Sequence, residues 1–142
     1  MNFTILKEIF NDWELQGEKV LVKRDLLKAL TFVNENYGFD VLKSITAIDL
    51  KELGIELIYN LYSTVNSEEL FISIVVNNEA ESVSSLYDSA VADEKEIYDL
   101  FGVKFLGNKE LTRLYMPEGW MGHPLRKDYK EDDERLKWND KT

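Results

Sequence analysis

The feature that most constrains this chain is a stretch of large apolar residues that follows no periodic pattern. Residues 107–126 include five glycines or prolines, and seven large apolar side chains are spread among them: Leu111, Leu114, Tyr115, Met116, Trp120, Met121 and Leu125. Neither helical spacing nor strand-like alternation is present. So many apolar groups need a surface to lie on, and a partner chain is expected to supply it, because a small domain rarely offers enough.

The residues before this stretch predict a helix followed by a short strand. Asp93 and Glu96, three positions apart, match a capping box at a helix start. Apolar residues then follow at the spacing of one helical face: Ile97, Leu100 and Phe101. Gly102 marks the expected end of this helix, and Val103–Leu106 is predicted as a strand.

Apolar periodicity predicts two further helices and four strands upstream. The helices are Phe3–Trp13 and Asp25–Tyr37, and the strands are Glu18–Lys23, Val41–Leu50, Ile55–Thr64 and Leu70–Asn77. Breaks of hairpin length separate the last three strands, so antiparallel neighbours are expected. The predicted fold class is α+β, with helices packed on one face of a mainly antiparallel sheet. This domain is expected to span residues 1–103, and an extended C-terminal arm with a charged tail is expected to span residues 104–142.

Composition excludes several classes of function. The chain has 142 residues, no cysteine and a formal net charge of −10, and residues 40–99 alone hold thirteen acidic and three basic side chains. Without cysteine, disulfides and thiolate-held iron–sulfur clusters are excluded. The acidic surface disfavours binding to nucleic acid or anionic lipid. No apolar run reaches the length of a membrane span and no secretory signal is present, so we expect a cytosolic chain unless a partner holds it at a membrane.

Two blocks of the sequence resemble the signature of a known family. The blocks are Glu94–Val103 (EKEIYDLFGV) and Trp120–Tyr129 (WMGHPLRKDY). They are similar to the 30 kDa subunit, or C subunit, of NADH:quinone oxidoreductase, whose family also supplies a component of membrane-bound, energy-converting nickel–iron hydrogenases. The resemblance covers roughly residues 18–130. The short length, with Lys95, Asn108, Lys109 and Thr112 at positions that depart from the family pattern, favours the hydrogenase-type branch.

The resemblance implies a non-catalytic, peripheral scaffold subunit of an ion-translocating membrane oxidoreductase of the complex I type. It implies no cofactor in this chain, with iron–sulfur clusters, and a nickel–iron centre in the hydrogenase branch, carried by partner subunits. The expected partners are a hydrogenase-like large subunit and an iron–sulfur small subunit, with membrane subunits reached indirectly. The expected location is the cytoplasmic side of the cell membrane.

The same resemblance implies a set of partner-interface residues in the helix and the arm. They are Glu94, Glu96, Asp99, Phe101, Arg113, Trp120, His123, Arg126, Lys127, Asp128 and Tyr129. Arg126 is the best candidate to pair with a carboxylate of a partner, and Trp120 is equally well explained as a core residue. The three acids do not suit a carboxylate catalytic pair, because Glu94 and Glu96 point away from each other on a helix. We expect them to serve helix solubility with one salt bridge.

His123 is the sole histidine and invites a catalytic interpretation. A small enzyme using His123 with Asp128 or Glu118 is one alternative, and a metal site would need carboxylates from elsewhere. We favour a turn in which the imidazole bonds to backbone or to a neighbouring chain. The other alternative is a free-standing binding module whose arm folds back on its own sheet.

Overall fold

The structure of the protein is a computed structural model, which describes residues 13–17, 19–109 and 122–127. Its main element is a five-stranded sheet with the strand order β1-β2-β5-β4-β3. The strands are β1 (Trp13–Gln16), β2 (Lys19–Val22), β3 (Val41–Asp49), β4 (Ile55–Ser63) and β5 (Glu68–Val76). Neighbouring strands pair antiparallel except β2 and β5, which are parallel.

One face of the sheet forms the core because side chains alternate between the two faces along each strand. In β4, every second residue from the start is fully buried: Ile55, Leu57, Tyr59 and Leu61. The register places Tyr59 opposite Ile72 of β5 and Ile45 of β3, so the buried residues of three strands lie side by side.

The first described helix, α1 (Leu26–Tyr37), packs on this face. Its buried residues have helical spacing: Leu26, Ala29, Leu30 and Val33. Gly38 ends the helix in the left-handed conformation, with φ +70°, and its N–H donates to the Asn34 carbonyl. A glycine adopts this conformation without the steric cost that a side chain would add.

The second described helix, α2 (Ala90–Phe101), connects two short strands. These are β6 (Glu79–Glu81) and β7 (Lys104–Leu106), which pair parallel as a separate two-stranded sheet. Ile97 of α2 and Phe105 of β7 belong to the same core cluster as Val33 of α1. The predicted α+β fold, with helices on one face of a mainly antiparallel sheet, is therefore confirmed.

Side chains of α2 and of the residue before it also cover the sheet edge formed by β3. The Ser89 hydroxyl donates to the Leu42 carbonyl over 3.0 Å, and the Ile45 N–H donates to the Asp93 carboxylate over 3.3 Å. Backbone groups on an edge strand otherwise lack partners within the sheet.

Most predicted elements agree with the structure to within two residues, but two predictions are wrong. Trp13 lies in β1 and not in a helix, while residues 3–12 of that predicted helix lie outside the described residues. Asp93 is not the N-cap of α2, because the helix begins at Ala90 and the Asp93 carboxylate accepts from Ile45 instead. The short strand β6 and the parallel pairing of β2 with β5 were not predicted. Of the predicted arm, residues 110–121 and 128–142 lie outside the described part.

Candidate functional site

The C-terminal end of α2 is capped by a distant part of the chain, residues 122–127. The last carbonyls of a helix have no partner within the helix. Here the Asp99 carbonyl accepts from His123 Nδ1 over 2.9 Å, and the Leu100 carbonyl accepts from the Leu125 N–H over 2.9 Å. The Phe101 carbonyl accepts from Arg126 Nη1 over 3.1 Å. The second block of the sequence signature is thus fixed against the helix end by three hydrogen bonds.

The chemistry of these contacts suits the groups involved. A carbonyl oxygen only accepts hydrogen bonds, so the contact with Asp99 requires the His123 ring to carry a proton on Nδ1. The guanidinium of Arg126 is a cation at the negative end of the helix dipole, which is its favourable position. The sequence prediction that the His123 imidazole bonds to backbone is confirmed.

Gly102 allows His123 to approach the helix end this closely. Its φ is +79°, and a Cβ atom built at this position would lie 2.6 Å from His123 Cδ2. Contacts of that length do not occur between real atoms of this kind, so any side chain at residue 102 would displace the imidazole. The ring also lies near Tyr98, with ring centroids 6.1 Å apart.

The same segment is held on its other side by Asp49, at the end of β3. One carboxylate oxygen accepts from the Lys51 N–H and the other accepts from the Lys127 N–H, both over 2.8 Å. Asp49 is only 7% exposed. The hydrogen bond from Lys127 lowers the pKa of Asp49 most, and the bond from Lys51 and the nearby positive charges of Arg126 and Lys127 add to it, against the effect of burial.

A cleft of about 370 Å³ opens beside Asp49, between the segment 122–127 and the turn after β3. The described residues that line it are Asp49, Lys51, Glu52, Arg126 and Lys127, all of which carry charged side chains. The turn is a short 3₁₀ helix, Lys51–Leu53, and Lys51 adopts the left-handed conformation with φ +61°. The hydrogen bond from its N–H to Asp49 supports that unusual backbone geometry.

A second carboxylate, Glu94 of α2, binds the loop after β6 from inside the core. Glu94 is fully buried. One oxygen accepts from the Ser82 hydroxyl over 2.6 Å and from Asn108 Nδ2 over 2.9 Å, and the other accepts from the Val83 N–H over 2.9 Å. Burial raises the pKa of Glu94, although these three hydrogen bonds oppose the effect.

The structure corrects the prediction that the acidic side chains of this helix serve its solubility. Glu94 and Asp99 are both fully buried, so they do not serve the solubility of a helix surface; only Glu96, which is half-buried, fits that account. The spacing of these acids was evident from the sequence, but their environment was not. Whether they also contact another subunit stays a prediction.

The other predicted interface residues divide into two groups. Phe101, His123, Arg126 and Lys127 are brought together at the end of α2, with Lys127 exposed and the others half-buried. Four more lie outside the described residues: Arg113, Trp120, Asp128 and Tyr129. Glu118 also lies outside them, so the alternative of His123 acting with Asp128 or Glu118 is not tested.

Sequence reasoning missed three residues that organise the site: Asp49, Ser82 and Asn108. Asp49 lies near the end of the predicted strand Val41–Leu50 and just before a turn, a position where aspartate often binds backbone N–H groups, and this signal could have been used. Ser82 and Asn108 carry no comparable signal, because their partner Glu94 is distant in sequence.

Two other kinds of site are not present in the described part of the chain. Within residues 13–17, 19–109 and 122–127, no three histidine or acidic side chains are grouped so that they could hold a metal ion. Neither of the two described helices is long and apolar enough to cross a membrane.

Comparison with known proteins identifies the class of protein that carries this fold and segment. The profile of a family described as respiratory-chain NADH dehydrogenase, 30 Kd subunit, matches residues 20–135. The chain therefore belongs to this family, and the resemblance noted in the sequence is confirmed.

Individual relatives are the C subunits of NADH-quinone oxidoreductases. The C subunit from Moorella thermoacetica is 37% identical over 134 residues, which cover 88% of this chain and 90% of that protein. The C subunit from Geobacter metallireducens is 36% identical, and the match covers 82% of this chain and 76% of that protein. The C/D subunit from Phocaeicola vulgatus is 35% identical over 83% of this chain, which spans only 22% of that longer protein.

A solved structure has the same fold. A chain from the membrane-bound sulfane sulfur reductase, described as an archaeal respiratory membrane complex, superposes with a TM-score of 0.71 and covers 98% of this chain and 91% of its own length. Its sequence identity is 24%, so the likeness concerns the fold alone. The relatives are subunits of multi-subunit respiratory complexes of the complex I type, and partner subunits are therefore expected for this chain.

Proposed function

We propose that this chain is a non-catalytic, peripheral scaffold subunit of a complex-I-like, ion-translocating membrane oxidoreductase. The enzyme would be an energy-converting hydrogenase or an NADH:quinone oxidoreductase. The observation that carries the proposal is the match to the C subunit from Moorella thermoacetica, which covers most of both chains. In this role the chain stabilises the hydrophilic arm of the complex, on the cytoplasmic side of the membrane.

The geometry of residues 122–127 supports a scaffold role. Hydrogen bonds to Asp99, Leu100 and Phe101 hold this segment on one side, and Asp49 holds it on the other. A partner that contacts the segment therefore meets a preformed surface and loses less conformational entropy on binding. The proposed partners are a hydrogenase-like large subunit and an iron–sulfur small subunit, which would carry the clusters because this sequence has no cysteine.

A pull-down of the tagged full chain from its own cells, in mild detergent, tests the proposal. We expect a hydrogenase-like large subunit, iron–sulfur subunits and membrane subunits to co-purify. The cofactors of those partners would then distinguish the hydrogenase branch from the quinone-oxidoreductase branch. Recovery of the chain alone would overturn the proposal in favour of a free-standing binding module.

Gradual depletion of the chain separates a scaffold from a catalytic subunit. For a scaffold, the number of assembled complexes falls with the amount of chain, while the turnover of each assembled complex stays unchanged. Complexes that assemble normally without the chain but have lost turnover would contradict the scaffold role.

A further inference from the structure

The charged cleft beside Asp49 has walls from two distant parts of the sequence. One wall is the 3₁₀ turn Lys51–Leu53, and the other is the segment 122–127. Asp49 joins them, because its two oxygens accept one backbone N–H from each wall. The two walls are therefore held at a fixed separation.

The acceptors of Asp49 are used within the chain, whereas two of the three basic residues of the cleft are exposed. Lys51 and Lys127 are both exposed, one on each wall. Within the described residues, neither ammonium group forms an ion pair. Arg126 is half-buried and already donates from Nη1 to the Phe101 carbonyl. The two lysines are thus better placed than Arg126 to meet a charge from another molecule.

The charge of the cleft stands out against its surroundings. Residues 40–99 are strongly acidic, yet the described residues that line this cleft include three basic side chains and two acidic ones. One of those acids, Asp49, is bound by backbone N–H groups and keeps its negative charge through a lowered pKa. An anionic group is the natural ligand of the remaining positive charge.

Exposed leucines adjoin both walls. Leu53 is 76% exposed and directly follows Glu52, and Leu125 is 52% exposed and directly precedes Arg126. A protein partner would bury these leucines together with the cleft, whereas a free small anion would leave them exposed to water.

We propose that this cleft receives an aspartate or glutamate side chain of an adjacent subunit, with Lys51 and Lys127 pairing with its carboxylate and Leu53 and Leu125 contacting aliphatic groups beside it. This inference rests on the proposed function and specifies one point of contact in it. It also changes which side chains are expected to pair with a carboxylate of the partner. The two lysines take this role, and Arg126 instead positions the segment.

Zero-length carbodiimide cross-linking of the intact complex tests the contact directly, because it joins a lysine only to a carboxylate in contact with it. We expect Lys51 or Lys127 to be linked to an aspartate or glutamate of another subunit. The exposed pair Lys43 and Glu69, with Nζ and Oε1 2.7 Å apart, provides an internal control for the reaction. Formation of the Lys43–Glu69 link without any link from Lys51 or Lys127 to another subunit would overturn the inference.

Charge reversal tests the energetic importance of the contact. The double variant Lys51→Glu/Lys127→Glu should reduce retention of the tagged chain in the complex about tenfold, since it places like charges against the partner carboxylate. The double variant Lys51→Arg/Lys127→Arg keeps both positive charges, so it should be retained in the complex as well as the wild-type chain. Lys28→Glu, at an exposed position of α1, is a charge-reversal control outside the cleft and should leave retention unchanged.

The outcomes separate this inference from the proposed function. If the wild-type chain and the double Glu variant are retained equally, the inference fails and the scaffold proposal stands. If the wild-type chain purifies without partners, the inference and the scaffold proposal both fail. If the double Glu variant alone loses its partners while its thermal unfolding midpoint matches that of Lys28→Glu, the inference is supported.

Discussion

Glu94 and Asp49 both fasten distant parts of the chain to the domain, but they do so in opposite surroundings. Glu94 is fully enclosed and accepts from Ser82, Val83 and Asn108. Asp49 lies at the wall of an open cleft and accepts from the N–H groups of Lys51 and Lys127. The pKa of Glu94 is raised by burial, whereas the pKa of Asp49 is lowered by its hydrogen bonds.

The difference shows that the environment of a carboxylate, and not its residue type, decides how much it contributes to the stability of the fold. Water can replace Asp49 as an acceptor at the cleft, but the core around Glu94 offers no such replacement. The Glu94 contacts should therefore dominate stability, while the Asp49 contacts position a surface. The following predictions test that division.

The largest effect is expected for Glu94→Ala. The substitution removes the acceptor of the buried Ser82 hydroxyl and Val83 N–H and of the half-buried Asn108 amide, and it opens a cavity. The free energy of unfolding should therefore fall by about 3 kcal/mol. Chemical denaturation of the full chain, followed by circular dichroism, measures this. Glu96→Ala, on the half-buried part of the same helix, should cost about 0.5 kcal/mol or less. Equal losses for the two variants would contradict the structural role of Glu94.

Gly102→Ala should have the next largest effect. The alanine would have to adopt φ +79° and place its Cβ against the His123 ring, so we expect a loss of about 2 kcal/mol. Gly17→Ala is the matched control, because φ is +61° there but no atom of the described residues lies within 4 Å of the added Cβ. The excess cost of Gly102→Ala over Gly17→Ala should disappear when His123 is also replaced by alanine. A persistent excess would mean that the imidazole does not lie against Gly102.

Asp49→Ala should cost less than either, about 1 kcal/mol, because water in the cleft can accept from the two freed N–H groups. Its main effect should be local. Amide hydrogen exchange at Lys51 and Lys127 should accelerate, while exchange in β4 should stay as in the wild type. Faster exchange throughout the sheet would show that Asp49 supports the core and that the division between the two carboxylates is wrong.

The smallest effects concern pH, and they should have opposite signs. Because the folded-state pKa of Glu94 is above its ordinary value of 4.5, its contribution to stability is complete below pH 4.5 and declines as the pH rises through the folded-state pKa. Because the folded-state pKa of Asp49 is below 3.8, its contribution is complete above pH 3.8 and is lost as the pH falls through the folded-state pKa.

Denaturation curves at several pH values, for the wild type, Glu94→Gln and Asp49→Asn, measure both effects. The stability advantage of the wild type over Glu94→Gln should shrink as the pH is raised, and its advantage over Asp49→Asn should shrink as the pH is lowered. The same pH trend for both variants would contradict the two environments described above.

The sequence predicted the elements whose side chains follow a regular period. Helix α1 and strands β3, β4 and β5 lie within two residues of their predicted bounds, because their apolar residues repeat at helical or strand spacing. The strand β6 was missed because its sequence, Glu-Ala-Glu, consists of residues that are uncommon in strands. The start of α2 was misplaced because Asp93 has the sequence position of a cap but bonds to Ile45 of another strand.

The site was predicted only in part, for a related reason. The signature block pointed to His123, Arg126 and Lys127, and the structure does bring them to the end of α2. The turn after β3 offered a signal for the bond between Asp49 and the Lys51 N–H, but the bonds that carboxylates make across the fold carry no local pattern. Asp49 and Lys127, for example, are 78 residues apart in sequence.

The covered edge of β3 limits how another chain can join this domain. The outward-facing carbonyl of Leu42 and N–H of Ile45 are already bound by Ser89 and Asp93. A foreign strand would have to displace both side chains before it could pair with the first half of β3, so these contacts oppose strand addition there. A neighbouring subunit that contacts this part of the domain would therefore meet side chains of α2 before it meets the backbone of the sheet, and the same contacts oppose aggregation of two copies along the first half of β3.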